Sequence, residues 1–217
     1  AASLERAVRL ADRVRGGDRD GALDGLDSSL DTAILCCQRL QGIARNMTAC
    51  ARPTRDDRTL IAVTSVVDEA IALVEPGLPP GTHVSRDYDP GLPPIRANPG
   101  QLVQVFVNLL MNAGHAVAGI DGDRRIEVEA SMGDDWVCVD VRDNGPGIPQ
   151  ELRDRLFEPF FTTKPDGTGT GLGLAVSLDI AHAHGGHIAV GGEVGRGATF
   201  SVVLPLRLHD EPGDGVR

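Results

Sequence analysis

The chain has 217 residues, of which 41% are hydrophobic, 24% are charged and only 3% are aromatic, and its formal net charge is −10. An acidic chain with so few aromatic side chains lacks the positive field and the stacking surfaces that nucleic-acid binding usually requires, so that class of partner is set aside. No apolar run approaches the roughly 20 residues that cross a bilayer. We therefore expect a soluble, cytoplasmic chain that makes no membrane contact of its own.

The first quarter of the sequence predicts a helical hairpin, to which we assign residues 1–56. Small or apolar side chains recur in alternating steps of three and four from Leu23 to Ala51, which is the pattern of a helix with one continuous apolar seam. A shorter stripe covers residues 4–14, and glycines separate the two. A strict seam favours the formation of a homodimer through this hairpin, and an intramolecular core is the alternative.

Beyond Pro53 the pattern changes to strands alternating with helices, and we assign residues 57–208 to one α+β domain. Strands are predicted near residues 60–63, 83–88, 125–131, 136–142, 187–190 and 198–204, and helices near residues 66–74, 99–117, 150–157 and 171–183. Two of the strand pairs are hairpins and are therefore antiparallel. This predicts a two-layer α/β sandwich, with helices on one face of a mixed sheet. The polar residues 209–217 predict a disordered tail.

A glycine-rich cluster at residues 167–173 leads directly into the last predicted helix, which we expect to begin at Gly171. Successive backbone N–H groups at the positive end of a helix can bind a polyphosphate. The cluster is not a Walker motif, because no Gly-Lys-Ser/Thr follows it. Phosphate binding and a flexible structural loop both remain possible from these residues alone.

The long predicted helix before this cluster carries polar side chains on one face. Asn108, Asn112 and His115 recur at spacings of four and three, so their side chains share that face. Amides at two successive turns suit an apolar surface poorly, since each buried amide needs hydrogen-bond partners. They suit a hydrated magnesium ion, which keeps several waters and accepts oxygen ligands.

Five segments occur in an order that resembles a known family. The sequences NLLMNAGHA, DNGPGI, FEPFFTTK, GTGTGLGLAVS and GRGATF are similar to the N box, first glycine box, F box, second glycine box and third glycine box of sensor histidine kinases. These kinases share the Bergerat ATP-binding fold with gyrase, the Hsp90 chaperones and MutL. The resemblance implies that the chain binds ATP or ADP together with Mg²⁺.

The resemblance also implies a role for each matched side chain. Asn112 corresponds to the magnesium ligand, Asn108 supports the ion and the phosphates, and His115 stands where many relatives carry a phosphate-contacting lysine. Asp143 corresponds to the aspartate that accepts the exocyclic amine of adenine. Thr199 corresponds to a hydroxyl that helps to bind adenine through water.

The remaining matched residues would shape the pocket and its cover. Gly145 and Gly147 would let the backbone approach the base, and Ile148 would line the pocket. The segment expected to wrap the phosphates comprises Gly169, Thr170, Gly171, Leu172, Gly173 and Leu174. Residues 161–171 would form a mobile lid. Lys164, the only lysine of the chain, begins that lid and is either a γ-phosphate contact or a solvated charge.

The residue one turn before Asn112 separates two classes of activity within this superfamily. ATP-hydrolysing members carry a glutamate there, which acts as a general base on water, whereas this chain has Asn108. An amide cannot take a proton from water, so the resemblance favours a protein-histidine kinase. Such a kinase passes the γ-phosphoryl group to a histidine and then to an aspartate of a response regulator.

The expected acceptor histidine is absent from the predicted hairpin, because the first histidine of the sequence is His83. One explanation is that the chain is a fragment of a longer sensor and starts after the acceptor helix. Another is that an atypical hairpin serves a different acceptor or partner. A nucleotide-gated interaction module and a serine kinase of the anti-sigma type are the alternative functions.

Overall fold

The computed structural model describes residues 58–163 and 169–206. The predicted hairpin, the predicted tail and Lys164 lie outside the described residues. The elements follow one another as β1 (Thr59–Ile61), α1 (Val63–Val74), β2 (Thr82–Tyr88), β3 (Ile95–Ala97), α2 (Pro99–Ala118), β4 (Arg124–Met132), β5 (Trp136–Asp143), α3 (Gln150–Arg153), α4 (Gly173–Ala183), β6 (His187–Gly192) and β7 (Ala198–Pro205).

Five strands form a mixed sheet in the order β2-β4-β5-β7-β6. Strands β2 and β4 pair in parallel, and the other neighbours pair antiparallel. Strands β4 and β5 form one of the predicted hairpins, in which the Gly133 N–H donates to the Trp136 carbonyl at 2.9 Å. A second, two-stranded sheet joins β1 to β3 antiparallel.

One face of the large sheet packs on the helices. Along β5, Val137, Val139 and Val141 are buried, whereas Cys138 and Asp140 between them are only half-buried. The same alternation runs along β4 and β7, because successive side chains of a strand point to opposite faces. The predicted two-layer sandwich with a mixed sheet is confirmed.

Helix α2 combines a buried apolar stripe with a polar face at the domain surface. Pro99 occupies its first turn, and the side chain of Asn98 caps it by accepting a hydrogen bond from the Gln101 N–H at 3.1 Å. Its buried side chains recur at helical spacing: Leu102, Val105, Phe106, Leu109, Leu110, Ala113 and Val117. The apolar stripe fixes the rotation of the helix, and this rotation leaves Asn108 and Asn112 half-buried.

The structure differs from the sequence prediction at several elements. Helix α1 begins at Val63, three residues before its predicted start. Strand β3 was not predicted. The helix predicted over residues 150–157 is a single turn, α3, followed by further turns. Helix α4 begins at Gly173 rather than at Gly171, because Gly171 has a φ of 65°, outside the right-handed helical region. Within the described residues, no helix is long and apolar enough to span a membrane.

Candidate functional site

Asp143 is the last residue of β5 and one of the few buried charged side chains in the described part of the chain, with 5% of its surface exposed. Its Oδ1 atom accepts hydrogen bonds from the N–H of Gly145 at 2.8 Å and from the N–H of Ala198 at 3.4 Å. Burial raises the pKa of this carboxyl, and the two backbone donors partly oppose the shift. The backbone amides hold the carboxylate through Oδ1, so Oδ2 can accept a hydrogen bond from a ligand.

Glycines permit the close approach of backbone segments around Asp143. A Cβ atom on Gly145 would lie 2.6 Å from Oδ1 of Asp143 and 2.8 Å from Cβ of Ala116. Gly197 has a φ of 90°, and a Cβ atom there would collide with the Asp143 carbonyl oxygen. Gly147 packs in the same way against the Glu193 carbonyl. These contacts bring the first and third glycine boxes together around one carboxylate.

The side chain of Thr199, for which we predict a water-mediated contact with adenine, points away from this group. Ala198 and Phe200 are buried, and Thr199 between them points to the other face of β7. Its hydroxyl accepts a hydrogen bond from Nε of Arg142 at 3.4 Å, on the sheet face where Arg142 also pairs with Glu127. The residue at Asp143 is therefore Ala198, through its backbone N–H. Counting the strand alternation back from the apolar Phe200 could have found it.

Asn108 ties helix α2 to the start of helix α4. Its Nδ2 amide donates to the Gly173 carbonyl and to the Ser177 hydroxyl, both at 3.1 Å, and Ser177 in turn donates to the Gly173 carbonyl at 2.8 Å. Ser177 is fully buried. Ser177 was not among the predicted site residues. The two donor hydrogens of Asn108 are thus directed at α4, and its carbonyl oxygen is the remaining polar atom of the amide.

Asn112 and His115 follow Asn108 along the same helix. Asn112 is half-buried, and His115 is exposed with its Nδ1 atom 2.6 Å from the Met111 carbonyl oxygen. Ile148, the last residue of the first glycine box, is partly buried against the core. In the described residues, no group of three His, Cys, Asp or Glu side chains could hold a metal ion.

The segment before α4 is held by a contact with the F box. The N–H of Phe160 donates to the Gly171 carbonyl at 2.9 Å, and a Cβ atom on Gly171 would collide with the Phe160 backbone. Phe160 itself has a φ of 68° and is 74% exposed, an unusual conformation for an aromatic residue. Phe161 packs under the guanidinium of Arg155, 4.4 Å from the ring centre.

The predicted phosphate-wrapping residues all lie in the described part of the chain at the start of α4. Leu174 packs partly against the core, and Thr170 accepts a hydrogen bond from the Leu172 N–H at 3.4 Å. The other members, each half-buried, are Gly169, Gly171 and Gly173. With Asn108 beside Gly173, the structure brings the amide-bearing face of α2 to the second glycine box.

The comparisons with known proteins identify the family. Residues 97–208 match the model of the histidine kinase-, DNA gyrase B- and HSP90-like ATPases. That range contains Asn108, Asn112, Asp143 and the glycine boxes. The chain belongs to this family, and its nucleotide-binding domain is of the histidine kinase type. The resemblance inferred from the five boxes is confirmed.

Named relatives and solved structures support the same class. The sensory histidine kinase/phosphatase NtrB of Rhizobium meliloti (strain 1021) is 34% identical over 194 residues, which are 82% of this chain and 50% of NtrB. The chain thus spans about half the length of this relative. The catalytic domain of histidine kinase ThkA is 29% identical over 69% of this chain and 96% of that one, with a TM-score of 0.61.

Two further structures were solved with bound molecules. Full-length ShkA in complex with AMPPNP is 26% identical over 87% of this chain and 39% of that one, with a TM-score of 0.66. ThkA in complex with the response regulator protein TrrA is 24% identical over 79% of this chain and 48% of that one, with a TM-score of 0.64. At that identity, the second likeness concerns the fold alone.

Proposed function

We propose that the chain is the catalytic part of a protein-histidine kinase, which binds ATP with Mg²⁺ and transfers the γ-phosphoryl group to a histidine. A response regulator receiver domain then takes the group on an aspartate. Family membership, the likeness to NtrB and the likeness to ShkA, which was solved with an ATP analogue, support this proposal. The ThkA complex supports the choice of partner by analogy of fold.

The observation that carries the proposal is the hydrogen bonding of Asn108. Hydrolysis of ATP needs a group that takes a proton from water, and the Asn108 amide has no such basic atom. Its two N–H groups donate to Gly173 and Ser177, so the side chain stabilises the position of the second glycine box. Phosphoryl transfer depends mainly on positioning and charge stabilisation, and the Asn108 hydrogen bonds contribute to positioning.

The proposed nucleotide lies between α2 and the segment that leads into α4. The adenine amine of the nucleotide donates a hydrogen bond to the buried Asp143 carboxylate, which the Gly145 N–H holds in place. Ile148 lies beside the base. The phosphates lie against Gly169–Leu174, whose N–H groups precede the positive end of α4. His115 and Lys164 are the proposed cationic or hydrogen-bonding contacts to the outer phosphates.

The half-buried Asn112 is the proposed protein ligand of Mg²⁺, through its amide oxygen. This donor fits the ion, because Mg²⁺ prefers oxygen ligands and usually keeps several waters beside substrate phosphates. When bound, the ion neutralises charge on the phosphates. Within this chain, Asn112 and Asn108 orient the phosphate end from two successive turns of α2.

The acceptor histidine and the oligomeric state belong to the same proposal. We propose that residues 1–56 form a dimerising hairpin, that the chain acts in the cytoplasm, and that the acceptor histidine lies on a segment outside this sequence. An atypical hairpin that serves another acceptor is the second possibility, because the sequence carries no histidine before His83.

Incubation with γ-labelled ATP tests the proposal. The 217-residue chain is mixed with a receiver-domain protein and with a helical hairpin that carries an acceptor histidine, and Asp143→Ala serves as the nucleotide-binding control. We expect acid-labile, base-stable label on the hairpin and later on the receiver domain. Acid-stable label would indicate a serine kinase. Tight ATP binding without any label would indicate a nucleotide-gated interaction module.

A further inference from the structure

Helix α4 is bonded to α2 at both of its ends. At its beginning, Gly173 and Ser177 accept from Asn108 in the middle of α2. At its end, His184 meets Asn98 at the beginning of α2. The two helices therefore run antiparallel, and the positions of the bonds on α2 are ten residues, or about 15 Å, apart.

The bond at the far end depends on the ring of His184, which is 2% exposed. Its Nε2 atom accepts from the Asn98 N–H at 3.0 Å, and its Nδ1 atom lies 2.8 Å from the Ile180 carbonyl oxygen. A ring nitrogen that accepts carries no hydrogen, so Nδ1 carries it and donates to Ile180. The neutral ring thus connects the last turn of α4 to the N-cap residue of α2.

Arg58 makes a second contact with the same end of α4. Its Nη2 atom donates to the Ala183 carbonyl at 2.7 Å, across 125 residues of sequence. The last carbonyls of a helix lack partners within the helix and form the negative end of its dipole, so a guanidinium there is favourable. Arg58 therefore caps the helix whose other end carries the second glycine box.

The two contacts come from adjacent positions of the small sheet. Thr59 of β1 pairs with Ala97 of β3, so Arg58 and Asn98 both flank that pair at one end of the sheet. Each of them is bonded to the C-terminal end of α4. We name this set of three residues, Arg58, Asn98 and His184, the α4 anchor. It joins the start of β1 to the end of α4.

We propose that Arg58 and His184 are positioning residues, which set the placement of α4 and thereby the affinity of the second glycine box for phosphate. The inference rests on the proposed function, because it assumes that the phosphates bind at the start of α4. An eleven-residue helix about 16 Å long moves as one piece, so a shift of its end is transmitted to Gly173. A change in the segment before Arg58 would then alter phosphate binding without touching the nucleotide.

The test compares the affinities of AMPPNP and adenosine, measured by competition with a fluorescent nucleotide on the 217-residue chain in magnesium buffer. Arg58→Ala and His184→Phe remove the two bonds. Arg58→Lys keeps a cationic donor, and His184→Gln keeps an acceptor near the Nε2 position. Arg86→Ala is the matched control, since Arg86 is an exposed arginine whose ion pair is with Asp68.

We expect Arg58→Ala and His184→Phe to weaken AMPPNP binding by roughly fivefold to tenfold and to leave adenosine binding within twofold. Arg58→Lys and His184→Gln should restore most of the loss, and the control should match the unmodified chain. Equal AMPPNP affinity in Arg58→Ala, or an equal loss for both ligands, would overturn the inference. Because Arg58 is at the surface, we expect Arg58→Ala to fold, so this variant tests the inference even if His184→Phe does not fold. An unmodified chain that binds neither ligand would instead overturn the proposed function.

Discussion

The two ends of the candidate site are built in different ways. At the adenine end, Asp143 is held by backbone N–H groups, and Gly145, Gly147 and Gly197 pack directly on other backbone or buried atoms. At the phosphate end, the start of α4 is held by the side chain of Asn108 and by one hydrogen bond from Phe160. The first end is part of the sheet, whereas the second joins a separate helix to its surroundings through one side-chain amide and one backbone hydrogen bond, beside the buried side chains of α4.

This difference indicates which end of the candidate site can be regulated. A pocket formed by paired strands moves only if the sheet is disrupted, and its residues tolerate little change. Helix α4 is packed on the core through buried Ala175, Ile180 and Ala181. The hydrogen bonds that position its ends contribute only about 1 kcal/mol each, so an end of the helix can shift at a small cost in free energy. We therefore expect substitutions at the adenine end to abolish binding or unfold the domain. Substitutions at the phosphate end should give graded effects.

The largest expected effect follows from removal of the adenine acceptor. Asp143→Ala should weaken AMPPNP binding by at least about 100-fold, because a buried site left with an unpaired polar partner rejects its ligand strongly. Isothermal titration calorimetry measures this loss. Asp140→Ala is the control, since Asp140 lies on the same strand but on the opposite face. Unchanged affinity in Asp143→Ala would contradict the pocket assignment.

The second effect compares two glycines of the third glycine box. Gly195 and Gly197 both have a positive φ, but only Gly197 lies against another backbone segment. Gly195→Ala should lower the free energy of unfolding by about 1 kcal/mol through conformation alone. Gly197→Ala should lower it by more than about 3 kcal/mol. Urea unfolding measures both values, and equal losses would argue against the tight packing at the adenine end.

A graded effect is expected at the phosphate end. Asn108→Ala removes both bonds to α4 and should weaken AMPPNP binding about tenfold, while adenosine affinity stays unchanged. Ser177→Ala removes one acceptor and should give a smaller loss of the same kind. Competition binding measures the affinities of each variant for AMPPNP and for adenosine, and their ratio is compared with that of the unmodified chain. A loss of adenosine affinity equal to the loss for AMPPNP would show that the two ends are not independent.

Removal of the proposed magnesium ligand should change the ion dependence rather than the adenine contact. We expect Asn112→Ala to bind AMPPNP with nearly the same affinity with and without Mg²⁺, whereas the unmodified chain binds it more tightly with the ion. Calorimetric titrations in magnesium and in chelator buffers give the comparison. If the variant keeps the full effect of Mg²⁺, Asn112 is not the ligand.

The smallest effect concerns the stability of the ligand-free protein. Burial raises the pKa of Asp143 above its value in the unfolded chain, so its contribution to stability is present at acid pH and is lost as the pH rises through the raised pKa. Asp143→Asn does not ionise, and its melting temperature should exceed that of the unmodified chain at pH 7. The difference should shrink as the pH falls through the raised pKa and should be smallest below about pH 3.9, the usual pKa of aspartate. Thermal unfolding at both pH values tests this, and a constant difference would contradict it.

Much of the fold could be predicted because its strongest local signals agree with its packing. Helix α2 has a Pro in its first turn, an Asn cap and a regular apolar stripe, and its predicted bounds differ from the observed ones by one residue. Strand β3 has only three residues and follows a proline-rich stretch, so it offers no periodicity to detect. Its pairing with β1 is a long-range contact.

The site was predicted less completely, because motif order does not give side-chain direction. Asp143 and the glycines around it could be predicted, since their motif spacing reflects backbone contacts. The direction of the Thr199 side chain could not be predicted, because it depends on strand alternation, which the motif does not encode. The contacts of Ser177, His184 and Arg58 with distant residues could not be predicted from local sequence.

The most direct test of the whole account is a crystal structure of the 217-residue chain with AMPPNP and Mg²⁺. The account predicts that the adenine amine lies within hydrogen-bond distance of Asp143. It also predicts that the triphosphate lies against residues 169–174, with the ion bound by the Asn112 amide oxygen. A nucleotide bound elsewhere, or no nucleotide beside Asp143 and residues 169–174 at saturating ligand, would contradict it.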